Sequence, residues 1–71
     1  MRGTRRGKWS ANEWAATEID CQADLYSQTR LVAAKVVLDL LQEGEYRDEL
    51  QDDQVQAAIS ATRRIIREET R

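Results

Sequence analysis

"YSQTR", residues 26–30, decides the fold of this chain. It sits inside a run of good helix formers that extends from Ser10 to Glu43 without a proline or a glycine. If these five residues are helical, the first helix is about 33 residues long, roughly 50 Å at 1.5 Å rise per residue. If they turn, the chain holds three shorter helices. With no proline or glycine to mark a break, the continuous helix is the expectation. Either way the class is all-α. The 71 residues contain no proline and three glycines, two of them in the first seven positions. Ala, Leu, Gln, Glu and Arg dominate the remainder, and all favour helix.

The start of that helix is legible. In "KWSANEW", residues 8–14, Ser10 and Glu13 have the S-x-x-E spacing of a capping box, in which each side chain accepts from the other's backbone N–H. Trp9 then precedes the cap and Trp14 is the fourth helical residue, the two positions that touch in a hydrophobic staple. Capping accounts for both indoles, so a ligand-stacking role is not needed. Upstream, residues 1–9 read as a flexible basic arm carrying Arg2, Arg5, Arg6 and Lys8.

Gly44 suits the left-handed residue that ends a helix. The acidic stretch "EGEYRDELQDD", residues 43–53, forms the turn, with Asp48 and Gln51 spaced as a second capping box. A second helix follows to about Glu69, with Val55, Ala58, Ile59, Thr62, Ile65 and Ile66 as its apolar stripe. Residues 10–71 are thus expected to form a helical hairpin. On the first helix Trp14, Ile19, Leu25, Tyr26, Val32, Val36, Val37, Leu40 and Leu41 share one broad face. Yet "LVAAKVVLDLL", residues 31–41, is apolar on more than one side, and Leu31 and Leu38 point away from Val36 and Leu40. One helix cannot cover both sides. Each large side chain left in water forgoes about 1.5–3 kcal/mol. The expected remedy is a homodimer through Leu31, Val32, Val36, Leu38 and Leu41, two hairpins making a four-helix bundle. The same surface could instead bind another protein.

The chain lacks equipment for chemistry. There is no histidine, and Cys21 is the only cysteine, expected as a small buried residue in a reducing compartment. No phosphate loop, calcium-loop pattern or nucleophile with a neighbouring base occurs. Asp20 and Asp24 lie one turn apart, but acid pairs on a polar helix face are usually solvated. No catalytic residue, metal ligand or cofactor is expected. Lys35 and Asp39 interrupt the longest apolar run, so no membrane span is expected, and the N-terminus lacks the apolar core of a signal peptide. A cytoplasmic location follows.

Charge placement is more informative than the net charge of −2. Arg63, Arg64, Arg67 and Arg71 fall in the last turns of the second helix, where cations suit the helix dipole. In a hairpin they would end on the same side of the turn as the basic arm, with the acidic turn at the far end. The expected function is a small non-enzymatic regulatory or adaptor protein acting through helix-face contacts, of the kind phages and plasmids carry as accessory proteins. The alternative is a dimeric nucleic-acid-binding regulator gripping phosphates with the arm and the arginine stripe. A further reading makes Glu13, Asp20, Asp24 and the acidic turn a negative decoy surface.

Overall fold

The computed structural model describes residues 10–71; the basic arm, and with it the Trp9 half of the staple, lies outside them. The described chain is all-helical, with α1 at Ala11–Tyr26, α2 at Arg30–Glu43 and α3 at Asp52–Thr70. The hairpin expectation is therefore corrected: the long first helix is two helices. The longest extent of the fold is 32 Å, too short for a helix of roughly 50 Å.

The break falls in "YSQTR" and is made without glycine. Ser27 takes a left-handed conformation, φ 52° and ψ 47°, and its N–H donates to the Ala23 carbonyl. The Gln28 N–H donates to the same carbonyl at 2.9 Å, so the Ala23 carbonyl in the last turn of α1 is satisfied twice. Thr29 then caps α2: its backbone is extended and its Oγ1 accepts from the Val32 N–H at 3.2 Å. A left-handed serine followed two residues later by a threonine cap stops one helix and starts the next.

The other boundaries match expectation more closely. Ser10 Oγ accepts from the Glu13 N–H at 3.4 Å, the first half of the expected box. Gly44 ends α2 with φ 85°, and its N–H donates back into the last turn. The positive φ is what calls for glycine there; a Cβ would meet the exposed side chain of Arg47, which can swing aside. The start of α3 is displaced. Tyr46 and Leu50 are both buried, which keeps the chain in turns through residue 49. The reciprocal bond comes three residues later than Asp48 and Gln51 would place it, with Gln54 Oε1 accepting from the Gln51 N–H at 2.9 Å. Asp52 and Asp53 occupy the first turn, where acids suit the dipole.

Contacts fix the helix directions. Tyr46, just after α2, stacks on Trp14 and donates to Glu18, so the α2–α3 loop lies against the first half of α1. Arg30, at the start of α2, pairs with Asp20 of α1 and Glu69 of α3. The end of α3 therefore meets the α1–α2 turn, and the three helices run up, down and up. The acidic loop and the start of α1 share one end of the bundle. The start of α1 and the acidic turn, expected at opposite ends of a hairpin, thus share one end, because the chain folds back at Ser27 instead of running on.

The core is built largely of alanine. Ala15, Ala33, Ala34, Ala58 and Ala61 are buried, together with Ile19, Val37, Leu41, Tyr46, Leu50 and Thr62. Small side chains let three helices approach closely, while Trp14, Leu40, Val55, Ile59, Ile65 and Ile66 close the rim. Ala61 was not part of the expected stripe of α3. It is buried because α1 returns along α3, which widens the covered face.

Candidate interaction surfaces

Five residues of α2 carried the expectation of self-association, and the fold divides them. Leu41 is 2% exposed and belongs to the chain's own core, so it leaves the set. Its place on α2 coincides with Ala34 and Val37 at helical spacing, the side that faces α1 and α3. Val32 is exposed, and Leu31, Val36 and Leu38 are half-buried on the flanks of that core-facing side. These four remain available to a partner.

A second apolar feature was missed. Leu25 and Tyr26, expected on the broad buried face, are 69% and 62% exposed in the last turn of α1. Once the helix stops at Ser27, nothing beyond it covers them. With Val32 across the three-residue turn, they place apolar surface at one end of the bundle. Cys21, expected to be buried, is also exposed, on a side of α1 away from Ile19.

The arginines form a coherent face. Arg63, Arg64, Arg67 and Arg71 are all exposed, and at 100° per residue they lie within one third of the circumference of α3. Arg64, Arg67 and Arg71 line a shallow depression with Glu68. Among the described residues both salt bridges belong to Arg30, and none to these four. Glu69 lies on the opposite, core-facing side of α3 and pairs with Arg30 at 3.3 Å. Only one end of the face reaches the start of α1, where Ser10 and Asn12 border a second depression with Ser60 and Arg64. The sequence of the basic arm joins the fold at that point. Arg71 lies about 10 Å further along α3, toward the α1–α2 turn.

One titratable group is strongly perturbed. Burial above all, and then the hydrogen bond to the Glu18 carboxylate at 3.0 Å, push the Tyr46 phenol well above the ordinary tyrosine range. The group ties the loop to α1 through this bond and the contact with Trp14. Among the described residues no cluster of three metal-ligating side chains occurs, and no helix is long and apolar enough to cross a membrane. No protein-family model, curated protein or solved structure matches the chain.

Proposed function

We propose that this chain is a non-enzymatic interaction protein that pairs with a second copy of itself through α2 and acts on a protein partner as a regulator or adaptor. The observation that carries this reading is the division of α2. Ala33, Ala34, Val37 and Leu41 supply the chain's own core, while Val32 is exposed and Leu31, Val36 and Leu38 are half-buried on the two flanks of that core-facing side. Covering what remains exposed of each is worth at most about 1 kcal/mol, so the incentive for association is the sum over several such side chains in both copies. Because each chain brings three helices, the dimer is a six-helix assembly in place of the four-helix bundle expected from hairpins. Leu25 and Tyr26, one turn of chain away from Val32, extend the apolar surface toward the partner.

Sedimentation of the full chain over a range of concentrations tests the reading. A dimer at micromolar concentration is expected. A folded monomer persisting at high micromolar concentration overturns it.

A further inference from the structure

We infer that the arginine face of α3 is a docking surface for the phosphate backbone of duplex DNA, independent of the apolar surface of α2. Arg63, Arg64, Arg67 and Arg71 present four guanidinium groups on one side of one helix, all exposed. Position at a helix C-terminus accounts for cations of this kind near the last turn. It does not account for their lack of partners. Glu68, one turn from Arg64, is the carboxylate beside the face; it forms no salt bridge with these arginines among the described residues and lines an open depression with Arg64, Arg67 and Arg71. Glu69 falls on the opposite, core-facing side of α3, where it pairs with Arg30.

The chemistry that fits is a regular row of anions. From Arg64 to Arg71 the face spans two helical turns, about 10 Å. Guanidinium groups bind phosphate with two parallel donors each, and backbone contacts of this type position a protein on a duplex. A single-stranded ligand is the poorer fit, because such sites stack bases on aromatic rings and α3 contains none. The acids of the α2–α3 loop lie at the opposite end of α3, and at this end Glu68 is the one carboxylate lining the depression against three arginines.

The test is the salt dependence of binding between the full chain and a labelled random-sequence duplex, read by fluorescence anisotropy. Replacing Arg63, Arg64, Arg67 and Arg71 together by Gln is expected to lower the magnitude of the log–log slope by about 0.9 for each phosphate contact removed, with helicity unchanged. A control carrying Lys35→Gln and Arg47→Gln, both exposed and off the face, is expected to keep the slope. The inference is overturned if the four substitutions leave the slope unchanged or if the control lowers it equally. It is also overturned if single-stranded DNA or RNA binds more tightly than duplex DNA. Equal binding of polyglutamate would assign the face to an acidic protein segment instead.

Discussion

Tyr46 stands edge-on to Trp14, ring centroids 5.0 Å apart and planes at 88°. The same side chain donates its hydroxyl to Glu18 one turn further along α1. A loop residue thus anchors the α2–α3 connection to the helix that begins the fold. Tyr46→Phe keeps the ring contact and should cost about 0.5–1.5 kcal/mol, the worth of one hydrogen bond. Tyr46→Ala also removes the aromatic pair and a buried ring, and should cost about 3–5 kcal/mol. Denaturant titration of both variants checks the order, and equal losses would mean that the ring pair carries nothing.

The same phenol sets an alkaline limit. Its folded pKa is raised, so its contribution is complete below the unfolded value of about 10 and is lost as pH climbs from there toward the folded value. Stability should fall with pH above about 10, and the fall should be shallower in Tyr46→Phe. Identical alkaline limbs for the two proteins would refute the assignment.

Ser27→Gly should stabilise the protein by about 0.5–1 kcal/mol, since the left-handed conformation strains a residue with a Cβ. In a continuous helix the same change would destabilise by a similar amount. The sign of the shift in melting temperature therefore distinguishes three helices from two.

That sign bears on what the sequence could and could not disclose. The all-α class, the Ser10 cap and the Gly44 stop were legible because each depends on local chemistry. The break was not, for a geometrical reason. Ile19 and Val37 are both buried and lie eighteen residues apart, about five turns at 3.6 residues each. Apolar periodicity therefore stays in phase across Ser27 whether or not the helix continues. The remaining signal was the Thr29 cap, a serine and a threonine flanking one glutamine, which is weak beside a glycine. The arginines of α3 were legible as a group, but the pairing of Glu69 with Arg30, thirty-nine residues away, was not, because it needs α2 and α3 brought together.

Leu38→Glu should dissociate the proposed dimer without unfolding the chain. Leu38 is half-buried on the flank of α2, and each chain has its own core. Two leucines lost per dimer, with two carboxylates placed in an apolar contact, should weaken association at least about tenfold. Sedimentation paired with circular dichroism reads both properties. Loss of helicity together with loss of the dimer would instead show one core shared between two chains.

Thr62→Val should stabilise the fold by roughly 1 kcal/mol or more. Thr62 is fully buried and its hydroxyl has no hydrogen-bond partner, so valine removes a desolvated polar group at nearly equal volume. A lowered melting temperature would mean that the hydroxyl is satisfied after all.

A centre made of alanines gives this fold an uneven tolerance for change. Alanine has no rotamers to lose on folding, so half of the interior is ordered at little entropic cost. It also leaves no slack. Adding two methyls at Ala33 or Ala58, both fully buried, should cost about 1–3 kcal/mol by forcing neighbouring helices apart. Rim positions such as Val36, Ile59 and Ile65 keep part of their surface outside and can accept other sizes. Mutational freedom is thus concentrated at the half-buried rim, where residues can change size while the bundle beneath stays fixed.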